Sequence, residues 1–303
     1  MQPYVIQNKY LLAILAASIA FSCLPVQDPP HSPMSETPQE SSVLKIATTT
    51  SLYDTKLWPV LAQAFQDDYG AVIHVISGGT GKAIQHGQMG DVDLITVHDP
   101  IQEDLFLSNG YGTQRYPFAY NYFIIVGPNN DPAGIYGLSS QEALLRIMDK
   151  GKANPTDVKF ISRGDKSGTH AKEILLWKIS GRDYQSVRNS GEWYQESAAG
   201  MGAVLNMSDQ KGAYTLTDIA TYTFFSKDID LVGLVTEDQN LLNVYSAIPV
   251  NPMVHNGINS ALASAFIEFL YSKKGQELIA SHGVKEYGKP FFRPISPDNP
   301  LLN

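Results

Sequence analysis

The residues best suited to chemistry lie at positions 163–170, where the sequence reads RGDKSGTH. A short apolar segment before them predicts a strand, and an amphipathic run after them predicts a helix. Ser167 is therefore expected to cap that helix, leaving the backbone N–H groups of Gly168 and Thr169 free at its start. A helix start carries roughly half a positive charge. With Arg163 nearby, this segment favours binding of a tetrahedral oxyanion.

A second segment of the same kind lies near the front of the predicted fold. Residues 48–51 read TTTS, follow a strand predicted over Leu44–Ala47, and precede another predicted helix. Their hydroxyl and N–H groups offer the same kind of donors to an anion. Two such turns on separate parts of the chain predict an anion held in a cleft between two lobes.

The glycine-rich turn SGGTG at 77–81 raises the question of a phosphate-binding loop. That motif needs a glycine where Ile76 stands and a hydroxyl residue where Ala83 stands, so nucleotide hydrolysis is not expected. The glycines still allow a ligand to approach the backbone closely. Thr80 is therefore a third candidate anion contact, the alternative being a turn that packs against its own sheet.

Ser167 and His170 also permit an enzymatic interpretation, as nucleophile and base of a secreted serine hydrolase. Gly164 lies three residues before Ser167 rather than two, so the nucleophile-elbow motif fails. We prefer Ser167 as a cap and anion donor, with His170 lining or bracing the site, or lying on the surface. Arg163 is either an anion contact or an ordinary surface residue. The RGD triplet is interpreted as accidental.

Acidic residues and one histidine gather at the end of a predicted strand, at Asp91, Asp93, His98 and Asp99. Their types would suit a divalent metal. A polar rim of the cleft is the preferred interpretation, and we expect neither a metal cation nor a cofactor.

The composition is that of a globular protein, with 303 residues, 43% hydrophobic and 17% charged. This length is sufficient for two α/β lobes with their own cores. The formal net charge of −8 argues against nucleic-acid binding but not against binding of a small anion by neutral dipoles.

The N-terminal sequence predicts export and anchoring. Residues 1–22 have the order of a lipoprotein signal peptide, with an apolar stretch at Leu11–Phe21 that is too short for a stable membrane span. Cys23, the only cysteine, would then carry the lipid, although a chance cysteine remains the alternative. The proline- and serine-rich residues 23–42 predict a polar tether.

Strands and helices alternate along the rest of the chain and predict parallel sheet. We expect the chain to cross between lobes near Tyr120–Val126 and to return near Leu241–Pro249. One lobe would comprise residues 44–123 with 248–303, and the other residues 124–247. Two crossings place a ligand at the interface between the lobes.

A set of segments, in order along the chain, resembles the tungstate-binding proteins of bacterial ABC importers. These belong to the type II periplasmic-binding-protein superfamily, which also contains molybdate- and phosphate-binding proteins. The similar segments are Thr48–Ser51, Gly79–Ala83, Gly90–Asp93, Val97–Pro100, Ser162–His170, Gly200–Gly202 and Ala213–Asp218. The resemblance implies an α/β fold of two lobes joined by two hinge strands, and delivery of the ligand to a membrane permease.

The resemblance also implies which residues contact the oxyanion. Thr50, Ser51 and Thr80 would bind from one lobe. Arg163, Ser167, Gly168 and Thr169 would bind from the other. Further candidates are Thr49, His170, Gly202 and Thr215.

Together these observations predict a monomeric, extracytoplasmic, lipid-anchored receptor for a tetrahedral oxyanion, with tungstate as the expected ligand. Neutral donors suit a permanent dianion because every pocket hydrogen can point inward. Phosphate keeps a proton near neutral pH and would benefit from a carboxylate acceptor, for which Asp93 and Asp165 are open candidates. The alternatives are a molybdate or phosphate receptor, the hydrolase, or a signalling or adhesion module that has lost its ligand.

Overall fold

The structure is a computed structural model that describes residues 43–296. The predicted signal peptide, the tether and Cys23 lie outside the described residues. The strands are β1 Val43–Thr49, β2 Val72–Gly78, β3 Leu94–Val97, β4 Tyr116–Gly127, β5 Phe160–Ser162, β6 Tyr194–Glu196, β7 Thr215–Asp218, β8 Val232–Val235, β9 Leu242–Pro249 and β10 Arg293–Pro294.

Helices follow most of the strands, as the alternating pattern predicts. They are α1 Thr50–Asp54, α2 Leu57–Tyr69, α3 Thr80–Met89, α4 Pro100–Ser108, α5 Ser140–Ala153, α6 Gly168–Ile179, α7 Tyr184–Arg188, α8 Met201–Lys211, α9 Ile219–Phe225, α10 Ser260–Tyr271, α11 Lys273–Ser281 and α12 Val284–Tyr287, with a 3-10 turn at Gln239–Leu241. None of the helices in residues 43–296 is both long and apolar enough to span a membrane.

The strands form a mixed sheet organised around β4. In the first lobe, β1 pairs in parallel with β2 and β3, and β3 pairs with β9 in antiparallel orientation. β4 pairs along its first half with β9 and along its second half with β7 and β8, all antiparallel. β4 thus passes from the first lobe into the second, and β9 runs back beside it. In the second lobe, β5 and β6 form a separate parallel pair.

The expectation of parallel sheet therefore holds for β1–β3 and for β5–β6, and is wrong for the crossing strands. The physical reason is chain direction. A chain that leaves a lobe on one strand and returns on its neighbour must place the two strands antiparallel.

Each lobe has its own buried apolar side chains. In the first lobe, Phe65 packs edge-on against Phe266, with ring centroids 5.2 Å apart, between α2 and α10. In the second lobe, Phe160 of β5, Trp177 of α6 and Trp193 are fully buried together in one apolar cluster. Aromatic pairs of this kind contribute beyond their buried area. These cores make rigid supports for the loops between them.

Candidate functional site

Three helices begin where strands end, and their starts face one another across the lobes. The N-caps are Thr49 for α1, Gly79 for α3 and Ser167 for α6. Thr49 and Ser167 each accept a hydrogen bond from a backbone N–H of the first turn, whereas Gly79 has no side chain to do so. Free N–H groups at these starts favour negative charge.

A small cavity of about 10 Å³ lies between these helix starts. The seven residues expected to contact an oxyanion all line it, together with Thr49, Gly79 and His98. The lining residues are Thr49, Thr50, Ser51, Gly79, Thr80, His98, Arg163, Ser167, Gly168 and Thr169. Side chains from segments more than 100 positions apart thus converge on one point.

Two buried donors at this cavity have no hydrogen-bond partner among the described residues. They are the Thr80 hydroxyl and the Arg163 Nε–H. Thr80 is 1% exposed and Arg163 is 8% exposed, so solvent satisfies neither fully. Leaving a buried donor unpaired costs about 1–3 kcal/mol. Unpaired donors of both lobes at one cavity indicate a site built to receive an acceptor.

Asp165 holds the Arg163 side chain in place. The Arg163 Nη2 atom donates to Asp165 Oδ2 at 2.5 Å, and Asp165 Oδ1 accepts from the backbone N–H of Ser167 at 3.1 Å. Burial alone would raise the pKa of Asp165, but the hydrogen bonds from Ser167 and the charge of Arg163 lower it. Asp165 is thus a carboxylate that orients two donors, and it does not line the small cavity.

Hydrogen bonds connect the first-lobe hydroxyls to His98. Thr49 Oγ1 lies 3.1 Å from Ser51 Oγ, which lies 3.0 Å from Nε2 of His98. Burial lowers the pKa of His98 to about 4, so the ring is neutral near pH 7. The sequence placed His98 on a polar rim but not among the anion contacts. Its position at a strand end, near the predicted cleft, was the signal available.

His170 contacts the anion loop, residues 163–167, through Lys166, and it does not line the small cavity. Its Nδ1 accepts from the backbone N–H of Lys166 at 3.0 Å, and its Nε2 lies 2.7 Å from the hydroxyl of Tyr184. Burial lowers the pKa of His170, against the opposing charges of Glu196 and Asp165. Because both ring nitrogens are engaged elsewhere, His170 is not placed to act as a base for Ser167.

A larger pocket of about 680 Å³ adjoins the small cavity. Three exposed lysines line it, Lys56, Lys82 and Lys166, and Lys56 and Lys166 hold positive φ angles of 65° and 60°. Such backbone conformations are uncommon outside glycine and concentrate at functional sites. Residues that line both spaces are Thr50, Ser51, Gly79, Arg163 and Ser167.

The two remaining candidates, Gly202 and Thr215, do not line the small cavity. Gly202 lines the larger pocket, where a Cβ at its position would fall 2.5 Å from the ring of Phe225. Thr215 is buried in β7 and donates to the carbonyl of Ile161 at 2.7 Å. Thr215 lines neither space.

The acidic residues near β3 have structural partners. Asp93 accepts from the backbone N–H groups of Lys45 and Asn259, and Asp99 caps α4. Asp91 contacts His86 at 3.0 Å. Within residues 43–296, no three His, Cys, Asp or Glu side chains come together as metal ligands. Neither Asp93 nor Asp165 is among the residues that line the small cavity.

Comparison with protein families places this two-lobed fold in a known class. The model of the PBP superfamily domain matches residues 35–274 of the chain. The chain therefore belongs to the PBP superfamily.

Relatives within the superfamily include proteins named for tungstate. The tungstate-binding protein TupA of Peptoclostridium acidaminophilum is 38% identical over 291 residues, which cover 94% of this chain and 98% of that protein. Among solved structures, tungstate-binding TupA from Desulfovibrio alaskensis G20 is 37% identical, with a TM-score of 0.72 over 84% of this chain and all of that one. The tungstate ABC transporter structure from Geobacter sulfurreducens is 41% identical, with a TM-score of 0.69 over 79% of this chain and 98% of that one.

Proposed function

We propose that this protein is the solute-binding component of an ABC importer and captures a tetrahedral oxyanion, with tungstate as its ligand. The observation that carries the proposal is a pair of buried donors, on Thr80 and Arg163, that have no hydrogen-bond partner within residues 43–296 and lie at one cavity between helix starts. The names of the relatives support tungstate in particular.

The lining of the cavity favours a dianion that carries no proton. Hydroxyl groups, backbone N–H groups, one guanidinium and the His98 imidazole surround it, and no carboxylate is among the described residues that line it. Hydrogen phosphate would bring a donor that only neutral hydroxyl oxygens could accept here, and a neutral acceptor makes a weaker hydrogen bond than a carboxylate does. We therefore expect tungstate and molybdate to bind more tightly than phosphate.

Titration calorimetry of the purified protein with tungstate, molybdate, sulfate and phosphate tests the proposal. We expect one tungstate per chain and a higher melting temperature with ligand, because binding to the folded state stabilises it by mass action. The absence of both heat and a melting shift with every oxyanion would refute the proposal. Tight binding of phosphate alone would reassign the ligand.

An enzymatic alternative now rests on different residues from those the sequence indicated. Ser51, His98 and Asn243 are hydrogen-bonded in the order of a nucleophile, a base and an orienting group. A serine-reactive phosphonate and an esterase assay separate the two functions. We expect neither labelling of Ser51 nor turnover, whereas stoichiometric labelling with turnover would favour a hydrolase.

For location, we propose that the protein works outside the cytoplasm as a monomer, anchored through a lipid on Cys23, and delivers its ligand to a membrane permease. The apolar run before the lone cysteine supports the anchor. Metabolic labelling with a fatty acid tests it. Cys23→Ser should abolish labelling and release the protein from membranes, and unchanged labelling would exclude this anchor.

A further inference from the structure

His98 touches three parts of the molecule at once. Its Nε2 lies 3.0 Å from Ser51 Oγ in the anion site, and its Nδ1 lies 2.9 Å from Oδ1 of Asn243 on the crossing strand β9. From the second lobe, Gly168 packs so closely that a Cβ there would fall 2.7 Å from His98 Cε1. The ring therefore lies where the first lobe, the crossing strands and the second lobe meet.

A chain of hydrogen bonds runs from the backbone carbonyl of Phe291 to His98, and this carbonyl determines which atom donates in each bond. The carbonyl of Phe291 can only accept, so it fixes the amide nitrogen of Asn121 as its donor, at 3.4 Å. The oxygen of Asn121 then accepts from Nδ2 of Asn243 at 2.8 Å. That places the Asn243 oxygen toward His98, so Nδ1 of His98 must carry a hydrogen.

This order of donors and acceptors makes His98 and a bound anion compete for the hydroxyl hydrogen of Ser51. A neutral imidazole with its hydrogen on Nδ1 has only a lone pair on Nε2, so the Ser51 hydroxyl must donate to it. Ser51 has a single hydroxyl hydrogen, and a dianion in the cavity also requires that hydrogen. In the ligand-free protein, the donor expected from Ser51 is therefore directed away from the anion.

The charged groups around His98 determine how its protonation responds to a ligand. Asp99, beside it on the chain, favours the charged ring, while Arg163 from the anion loop and Lys172 from α6 disfavour it. Tyr245 on β9 packs against the ring at 4.9 Å, and burial keeps the pKa of its hydroxyl well above the ordinary value. A dianion in the adjoining cavity adds a strong opposite charge, which favours the protonated ring.

We propose that His98 is a positioning residue that takes up a proton from solvent on Nε2 when the oxyanion binds. The new N–H then donates to Ser51 Oγ, and the Ser51 hydroxyl turns to donate to the anion. The Nδ1–H to Asn243 bond is kept throughout, so the crossing strands continue to hold the ring. This inference rests on the proposed oxyanion-binding function.

Calorimetry in two buffers of different ionisation enthalpy counts the protons exchanged on binding. We expect the wild-type protein to take up a clear fraction of one proton per tungstate at pH 7. By linkage, affinity should fall as pH rises from 7 to 8.5, by up to about tenfold per pH unit. Binding with no proton uptake would overturn the proposal.

His98→Gln identifies the group responsible. A glutamine amide can reach Ser51 with an N–H and does not titrate, so it should bind tungstate without proton uptake. His98→Asn is the matched variant, because its shorter side chain reaches Asn243 but not Ser51, and it too should bind tungstate without proton uptake. Equal uptake in wild type and His98→Gln would assign the proton to another group, such as Asp54, which lines the larger pocket, or His170, and refute the role of His98.

Nitrogen-15 NMR of histidine-labelled protein tests the same proposal on the wild type alone, so it does not depend on whether a variant folds. The chain has seven histidines, and the ring-nitrogen shifts distinguish the neutral Nδ1–H form from the doubly protonated form. One ring should change from the neutral Nδ1–H form to the doubly protonated form on adding tungstate. If every ring keeps its form while tungstate binds, this proposal fails and oxyanion binding stands. If no oxyanion binds, both proposals fail.

Discussion

At the scale of single residues, the Thr80 hydroxyl is expected to have opposite effects on the stability of the ligand-free protein and on ligand affinity. It is buried and unpartnered within the described structure, so it destabilises the ligand-free protein and is available to the ligand. Thr80→Val keeps the shape and removes the hydroxyl. We expect the free energy of unfolding without ligand to rise by about 1 kcal/mol, and tungstate affinity to fall about two- to tenfold.

Thermal denaturation and calorimetry on the same preparations measure the two effects of Thr80→Val. Opposite signs are the expected signature of a binding hydroxyl. A loss of stability with unchanged affinity would instead make Thr80 a packing residue of the α3 turn.

Arg163 is expected to contribute most of the charge at the site. Its removal in Arg163→Ala takes away a charge-assisted hydrogen bond, worth about 1.5–3 kcal/mol, or on the order of ten- to hundredfold in affinity. Arg163→Lys should restore only part, since an ammonium cannot reproduce the guanidinium fork that also contacts Asp165. Arg182→Ala, at an exposed arginine after α6, is the control and should bind as wild type. Unaltered affinity in Arg163→Ala would place this residue outside the site.

Much of the lining of the small cavity could be predicted from the sequence, because hydroxyl residues and glycines at helix starts are recognisable from the residues around them. Ser167 and Thr80 are examples, and the structure brings both to one cavity. The role of His98 at the cavity could not be predicted in this way. Its bond to Asn243 spans 145 positions, and nothing near either residue in the sequence indicates the other. Nor does any local pattern indicate that Thr215 donates to a backbone carbonyl away from the cavity.

At the scale of elements, the start of α6 must approach the first lobe closely. Gly168 permits this, since a Cβ at its position would lie 2.7 Å from His98 Cε1 and 3.2 Å from Thr80 Oγ1. We expect Gly168→Ala to hold the lobes apart and weaken tungstate binding at least tenfold, while the melting temperature without ligand changes little. Calorimetry and thermal denaturation measure both.

Gly81→Ala is the matched control for the Gly168 variant. It lies in the first turn of α3, and a Cβ there meets nothing within 4 Å. This variant should bind tungstate as the wild type does. If the two alanine variants bind equally well, close approach at Gly168 is not required for binding.

The elements themselves were predictable to different degrees. The spacing of apolar residues in the sequence predicts helices over 260–271 and 273–281, and α10 and α11 have these bounds, Ser260–Tyr271 and Lys273–Ser281. Leu57, Leu61, Ala64 and Phe65 lie at helical spacing and predict a single helix over 54–69. That prediction is wrong at its start, because Lys56 adopts a left-handed conformation that separates α1 from α2. A lysine carries no local signal for such a conformation, which is imposed by the surrounding fold.

At the scale of the whole molecule, binding requires both lobes. The first lobe supplies Thr50, Ser51 and Thr80, the second supplies Arg163 and the start of α6, and neither set alone surrounds an anion. We propose that residues 44–123 with 248–303 move against residues 124–247 about β4 and β9. An open form should bind weakly, and the ligand should favour the closed form through its contacts with both lobes.

Small-angle scattering with and without tungstate tests this closure. The radius of gyration should be smaller with ligand, and Gly168→Ala should show less of this change than the wild-type protein. An identical radius in both states of the wild type, with binding confirmed in the same sample, would mean that the lobes are preset.

The most direct test of the central claim is to locate the bound anion. Crystals grown with tungstate and measured at a tungsten absorption edge reveal the metal by its anomalous scattering. We predict one strong peak in the small cavity, with tungstate oxygens accepting hydrogen bonds from Thr80 Oγ1 and Arg163 Nε. A peak confined to the larger pocket or elsewhere on the surface, in protein shown to bind tungstate, would contradict the account.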